Sequence, residues 1–235
     1  MSDGGRLTLV ATPIGHLADL SPRAIETLGA ADFWIVEDTR VSGKLQSHLG
    51  LKKPMRILND HTGEHQVEKY VEELKSGAVA ALLTDGGSPV ISDPGTILCD
   101  RCYEKGISVG AIPGPSAVTT ALMLSGFFGQ RFCFLGFLGK KAGAIKSELR
   151  AFKESPLTLV LFESPFRIAA LLAAAGEELG ERRYAICREM TKIHEQVFRA
   201  ALPYVPTEKE LPRKGEITLV IEGRRRGVVE SSQEW

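Results

Sequence analysis

The sequence predicts an α/β protein of two lobes, the first built on a parallel-rich sheet and the second on a mixed one. Three observations predict it. Short β-branched and apolar runs alternate with helical patterns through the first half; a strand-like run in the second half has no crossover helix of its own; and a break rich in proline and glycine separates the halves. A chain of 235 residues, 43% of them hydrophobic, is long enough to fill two such cores.

The first lobe, residues 1–113, takes its strands from LTLVA at 7–11, FWIV at 33–36, VAALL at 79–83 and ISVGAI at 107–112. Between them lie the helical patterns SPRAIETLGA, HQVEKYVEELKSG and GTILCDRCYEKG, two of which close on a glycine. Ser21 is placed to cap the first of these, with Pro22 at its opening position and Glu26 near its positive end. The boundary is expected at Pro113–Ser116. The second lobe, residues 117–235, reads FCFLGF at 132–137, LTLVLF at 157–162, YAIC at 184–187 and EITLVIEG at 216–223, with PFRIAALLAAAGEELG as a helix after the second run. EQVFRAAL at 195–202 is the strand without a crossover, which implies antiparallel pairing.

Charge and composition exclude several classes. The 29 basic and 29 acidic side chains cancel, so no global field draws the chain to nucleic acid or to an anionic membrane, and RNA contacts would have to be local. There is no apolar run of membrane-spanning length, and MSDGGRLTLV lacks a basic segment followed by an apolar one, so the cytoplasm is expected. Cys99 and Cys102 form a C-x-x-C on a helical pattern, but no second pair completes a zinc site and no strand precedes them, so Cys99, Cys102, Cys133 and Cys187 are expected to be structural thiols. His61 and His65 are four apart with Gly63 between them, and no metal is expected there.

In open parallel sheets, ligands bind beyond the carboxyl ends of the strands. Here ATPIGHLADL, EDTR, TDGGSPVISDPG and IPGPSA follow strand runs, and each can turn tightly and expose backbone N–H and C=O groups. The dinucleotide fingerprint, the P-loop and the hydrolase nucleophile elbow are all absent. That argues against a nucleotide-dependent oxidoreductase.

ATPIG, EDTR, DGGSPVISDPG, IPGPSA, FLGFL, FESPFR, REMTKIHEQVFR and KGEITLVIEG occur in this order over roughly residues 6–223. The ordered set resembles the bacterial methyltransferases that modify a ribose 2′-hydroxyl in small-subunit ribosomal RNA, members of the tetrapyrrole methylase superfamily. The resemblance implies a two-domain tetrapyrrole-methylase-like fold, S-adenosyl-L-methionine held in a cleft between the lobes, a cytidine of small-subunit ribosomal RNA as substrate, and a homodimer. It further implies that Pro13, Ile14, Gly87, Ser88, Pro89, Ile91, Ser116, Ala117 and Phe162 line the cofactor pocket. Asp38, Arg40, Glu163, Glu189 and Lys192 are the expected catalytic groups, with Glu37 and Asp93 as further acid–base candidates. Lys192 is suited either to steady an alkoxide or to hold a phosphate. GKKAGAIK and EGRRRG are the best local RNA contacts.

The chain departs from the family's usual pattern in a few places. His16 stands where an asparagine is usual, Phe166 where ESPHR would place a histidine, and Asn59-Asp60-His61 replaces a His-Glu-His-Asn run; the C-terminal extension of many relatives is not expected. A tetrapyrrole methyltransferase and a non-catalytic ribosome-assembly module are the alternative readings. EDTR, ESPFR and TKIHE favour the RNA branch over the former.

Overall fold

The computed structural model describes residues 4–225. The chain divides into two compact units between Ser116 and Ala117. In the first, strands β1 (Arg6–Val10), β2 (Phe33–Val36), β3 (Met55–Ile57), β4 (Val79–Leu82) and β5 (Ser108–Ile112) form one sheet in the order β3-β2-β4-β1-β5. Every pairing is parallel, as crossover helices require. Those helices are α1 (Pro22–Ala30), α2 (Thr39–Leu49), α3 (Glu64–Lys75) and α4 (Thr96–Glu104).

Both faces of this sheet are buried. Phe33 and Ile35 join one apolar cluster with Leu7, Leu74 and Leu98, while Trp34 and Val36 join another with Leu28, Ala81 and Leu83. This alternation explains why FWIV reads as an unbroken apolar run. The Ser21 hydroxyl caps α1 by accepting from the Ala24 amide at 3.1 Å, and Trp34 Nε1 donates to the Leu28 carbonyl at the other end of that helix. Cys99 and Cys102 lie on α4 as free thiols, Cys102 fully buried with its thiol pushed up to about 11 by desolvation. That is packing chemistry.

The second unit opens with α5 (Ala117–Ser125), followed by β6 (Phe132–Phe137), α6 (Ala142–Arg150), β7 (Thr158–Glu163), α7 (Ile168–Leu179), β8 (Arg183–Arg188), β9 (Gln196–Ala201) and β10 (Ile217–Ile221). The sheet order is β6-β7-β10-β8-β9, with only β6 and β7 parallel. The fold is thus mixed α/β, with the expected strand at 196–201 pairing antiparallel with β8. Helices α6 and α7 cover one face through Leu149, Leu171 and Leu172 packed on Leu159, Leu161, Ile186 and Leu219. Helix α5 packs on the other, where the buried Cys187 thiol donates to the Ala121 carbonyl at 3.7 Å. No described helix is long and apolar enough to cross a membrane.

Candidate functional site

Because all five strands of the first sheet run the same way, their carboxyl ends share one edge. Three of the loops there are bonded to one another. Thr12 and Gly87 exchange backbone hydrogen bonds of 2.9 and 3.0 Å, and the Thr12 hydroxyl donates to the Thr84 carbonyl. The Thr84 hydroxyl in turn donates to Asp93 Oδ2 at 3.1 Å and accepts from the Gly86 amide. Ser88 Oγ donates to the Pro115 carbonyl at 3.4 Å, which ties the loop after β4 to the one after β5.

Glycine suits this knitting. A Cβ on Gly86 would lie 3.3 Å from the Pro13 carbonyl oxygen, and Gly87 sits at φ +94° with Ile14 Cγ2 within 3.5 Å of where its Cβ would be. Further along, Val90 and Ser92 hold φ values of 73° and 65°. A left-handed β-branched residue is strained and is kept only where surrounding structure enforces it. Of the expected pocket residues, this edge brings together Pro13, Ile14, Gly87, Ser88, Pro89, Ile91 and Ser116. Ala117 and Phe162 belong to the second unit. Ala117 opens α5, and Phe162 lies in β7 with its ring 4.9 Å from Phe134 and 5.6 Å from Phe137.

The electrostatics of the edge are unusual. Glu37, Asp85 and Asp93 are each pushed above the ordinary carboxylate range, first by desolvation; Asp85, Asp93, Asp60 and Asp38 add to this at Glu37, Asp38 adds to it at Asp85 against the pull of Arg40, and Asp85 and Asp60 add to it at Asp93 against the hydrogen bond from Thr84. None of the three forms an ion pair among the described residues. Asp38 is the opposite case. It caps α2 by accepting from the Arg40 amide at 2.7 Å, and it binds the Arg40 guanidinium side-on, which holds its carboxyl down at about 2. Arg40 itself projects outward, 88% exposed.

In the second unit, the carboxyl ends of β6, β7 and β8 and the amino ends of β9 and β10 share an edge, since Phe137 pairs with Phe162, Glu163 and Arg188 both pair with Ile217, and Arg188 pairs with Gln196. Glu163 is 3% exposed; its Oε1 accepts from the Ser164 amide at 2.7 Å, and its Oε2 lies 3.2 Å from Arg167 Nη2 without hydrogen-bond alignment. Glu189 Oε1 accepts from the Glu216 amide at 2.8 Å and from Lys192 Nζ at 3.0 Å, and Lys192 Nζ also donates to Glu216 Oε2 at 2.8 Å. The Glu216 amide is the main cause that pulls the Glu189 carboxyl below its usual value. Desolvation works against the Lys192 charge, yet the bonds from Glu216 and Glu189 outweigh it and raise the ammonium above its ordinary range. Glu189 and Thr191 sit at φ 50° and 62°, and a Cβ on Gly215 would come within 2.6 Å of the Glu189 carboxyl carbon. The hairpin is shaped around this carboxylate.

Five groups that sequence reasoning did not assign enter these networks: Thr12, Thr84, Asp85, Arg167 and Glu216. Thr84 and Asp85 open the loop already singled out, so their position was a signal. Glu216 meets Glu189 from 27 residues away, which no local pattern encodes. The departures from the family pattern also find local explanations. His16 Nδ1 accepts from the Ala18 amide and caps the short 3₁₀ turn Leu17–Asp19, work that an asparagine oxygen does equally well. Asn59 Oδ1 accepts from the His61 amide, which makes this stretch a side-chain-stabilised turn. No group of three or more His, Cys, Asp or Glu with metal-binding geometry occurs among the described residues.

The N-terminal edge therefore offers backbone at close range and a concentration of negative charge, which fits a folded ligand carrying positive charge, as a sulfonium and an ammonium do. Residues 6–205 match the family model for tetrapyrrole (corrin/porphyrin) methylases. The chain is 43% identical over 224 residues to the "Ribosomal RNA small subunit methyltransferase I" of Haemophilus influenzae, covering 94% of this chain and 79% of that one. It is 40% identical to the protein of the same name from Thermotoga maritima, covering 94% of this chain and 99% of that one. Among solved structures, the methyltransferase CobJ superposes with a TM-score of 0.70 at 17% identity, covering 95% of this chain and 97% of that one. The uroporphyrin-III C-methyltransferase of Thermus thermophilus does so with a TM-score of 0.65 at 20% identity, covering 93% and 94%. These last two likenesses concern the fold alone. The chain belongs to the tetrapyrrole (corrin/porphyrin) methylase family, as a methyltransferase whose methyl donor is S-adenosyl-L-methionine.

Proposed function

We propose that this methyltransferase acts on small-subunit ribosomal RNA and methylates the ribose 2′-hydroxyl of a cytidine. The observation that carries the reading is identity of 40–43% across nearly the whole chain with proteins named for that RNA, while the methyltransferase CobJ and the uroporphyrin-III C-methyltransferase share only the fold. The equal numbers of basic and acidic side chains fit a substrate presented within a small subunit better than free RNA, whose nonspecific affinity scales with the phosphates a protein neutralises.

Bound S-adenosyl-L-methionine supplies an electrophilic methyl group on a positively charged sulfur. Gly86 and Gly87 give it backbone at close range, Pro13, Ile14, Pro89 and Ile91 give apolar surface, and Glu37, Asp85 and Asp93 favour its positive charge. A ribose hydroxyl is a very weak acid, so its oxygen needs either a proton acceptor or a nearby cation as negative charge develops. Lys192 is assigned the second role: its ammonium stays charged through the neutral range, and Glu189 and Glu216 fix its position. Asp38 is ionised and fully engaged by Arg40, so we assign it to orienting that guanidinium toward an anionic substrate rather than to accepting a proton.

Transfer of labelled methyl groups to small subunits from a strain lacking this protein tests the reading, with a map of ribose methylation locating the nucleotide. Incorporation at a single cytidine ribose is expected. No incorporation into subunits or naked ribosomal RNA would end the RNA assignment.

A further inference from the structure

The two basic runs that the sequence offers as RNA contacts stand at opposite ends of the C-terminal sheet; Lys146 of the first is paired with Glu177, and Arg226 of the second lies outside the described residues. Arg224 is paired with Glu154, and Arg225 binds Glu222 Oε1 at 2.8 Å. Both follow the carboxyl end of β10, beside the start of β8, at the end of the sheet opposite Glu163 and Lys192. Lys140 and Lys141 lie instead just past the end of β6, on the same edge as those two groups. Both are exposed, and neither has an ion pair among the described residues.

The turn that carries these lysines is built with care. A bulge in β6 shifts the register between Phe134 and Gly136, and the strand then ends on Phe137, 62% exposed although its ring leans on Phe162. The next two carbonyls, of Leu138 and Gly139, both accept from Arg167 Nη2 at 3.1 Å. Arg167 is in turn held beside the buried Glu163 carboxylate, whose Oε2 has no other partner. A guanidinium ahead of α7 thus pins the end of β6, and the neighbouring Phe166 stands 75% exposed. The outcome is two exposed ammonium groups without an ion pair among the described residues and two exposed aromatic rings on the same edge. Sequence-tolerant single-strand surfaces have this composition: cations for the phosphates and rings on which bases stack.

We propose that Phe137, Lys140, Lys141 and Phe166 form a docking surface for an unpaired RNA strand, and that Glu163 and Arg167 are positioning residues that hold the turn on which the lysines stand. The proposal rests on the RNA reading above and names the part of the chain that meets the strand. It accounts for the cost of burying Glu163: a buried carboxylate with one unsatisfied oxygen is retained because it fixes Arg167.

The test measures binding of a labelled single-stranded RNA of about 12 nucleotides, within the range single-strand sites cover, to the full chain across a salt series. For single strands, the slope of log affinity against log salt changes by about 0.7 per neutralised phosphate, so the double variant Lys140→Ala/Lys141→Ala is expected to flatten it by about 1.4. Phe166→Ala is expected to weaken binding about tenfold with the slope unchanged, since stacking releases no counterions. Arg167→Gln and Glu163→Gln should each flatten the slope although no lysine is removed, a readout that mere loss of stability would not produce in a variant whose melting temperature is retained. Arg224→Ala, at the far end of the sheet, should change neither.

An unaltered slope in the lysine double variant overturns the proposal, as does an equal loss in Arg224→Ala or the absence of binding by wild-type protein even at the lowest salt, where phosphate contacts are strongest. If wild-type protein methylates small subunits while these variants bind and react like it, only this inference fails. If wild-type protein modifies no RNA at all, the functional reading fails first.

Discussion

At the loop edge of the N-terminal sheet, Glu37, Asp85 and Asp93 are raised chiefly by desolvation and further by neighbouring carboxylates, and none forms an ion pair among the described residues, whereas at the edge of the C-terminal sheet Glu163, Glu189 and Glu216 each lie against a cation. Both edges are built on α/β layers with well-packed cores, so the contrast is not one of folding quality. It lies in where each edge leaves its charge. A network such as Glu189–Lys192–Glu216 satisfies its members internally and fixes one ammonium in place. The carboxylates without an ion pair instead favour a nearby positive charge, and perturbed groups of this kind gather at functional sites. Under the function proposed above, the N-terminal edge receives the cofactor and the C-terminal edge holds the preset ammonium.

The largest effect expected from breaking the comparison comes from the loop itself. Gly87→Leu forces a side chain onto a residue at φ +94° with Ile14 Cγ2 at 3.5 Å, so the loop must move or strain. Affinity for S-adenosyl-L-methionine measured by calorimetry is expected to fall about 100-fold or more, with a melting temperature only a few degrees lower because the loop lies outside the core. Unchanged affinity would remove this loop from the cofactor site.

Next in size is Lys192→Ala. Under the role proposed for Lys192, loss of its charge is expected to slow transfer by roughly 10²-fold with cofactor affinity little changed, as single-turnover kinetics and calorimetry would read. Because Glu216 and Glu189 raise the ammonium above its usual range, the wild-type rate should show no fall through neutral and mildly alkaline pH attributable to this group. The Glu189 carboxyl is lowered in the folded chain, so its contribution to stability is present above the ordinary value of 4.5 and is lost as pH falls through the lowered one. A melt series from pH 7 to pH 3 should therefore show Glu189→Gln less stable than wild type at the top, with the gap closing toward the bottom.

How much of this was legible in the sequence depends on the range of the interaction. Ser21 and Pro22 announced α1 because capping is local, and TDGGSPVISDPG announced a shaped loop because glycine and proline act on their own backbone. Strand β3 was not among the expected runs, since Met-Arg-Ile is only three residues long and takes its place from pairing with β2. Helix α5 was also missed: Ala-Val-Thr-Thr-Ala-Leu-Met-Leu-Ser mixes β-branched and apolar residues without a clear polar face. At the C-terminal edge, Glu189 and Lys192 could be picked out within a motif. Their third member Glu216, and the reach of Arg167 to carbonyls 28 and 29 residues earlier, arise only from the sheet pairings that close the gap.

The smallest effect sharpens the comparison most, because it separates stability from function at one atom pair. Asp93→Asn keeps an oxygen able to accept from the Thr84 hydroxyl but removes a charge that burial and the Asp85 carboxylate disfavour. A carboxyl whose value is raised on folding stabilises the fold at pH below its unfolded value, and that contribution is lost as pH rises through the raised one. Wild-type protein should therefore be the less stable of the two at pH 8, by a few degrees in melting temperature, and the difference should vanish near pH 3, where Asp93 is protonated in either state. If the carboxylates also serve the cofactor's positive charge, the same substitution weakens S-adenosyl-L-methionine about tenfold at pH 8, giving a protein that is more stable and binds less well. A gain in stability with full cofactor affinity would show that Asp93 lies outside the cofactor's field. A loss of stability at pH 8 would show that the cluster is not strained, and the contrast between the two sheet edges would then rest on geometry alone.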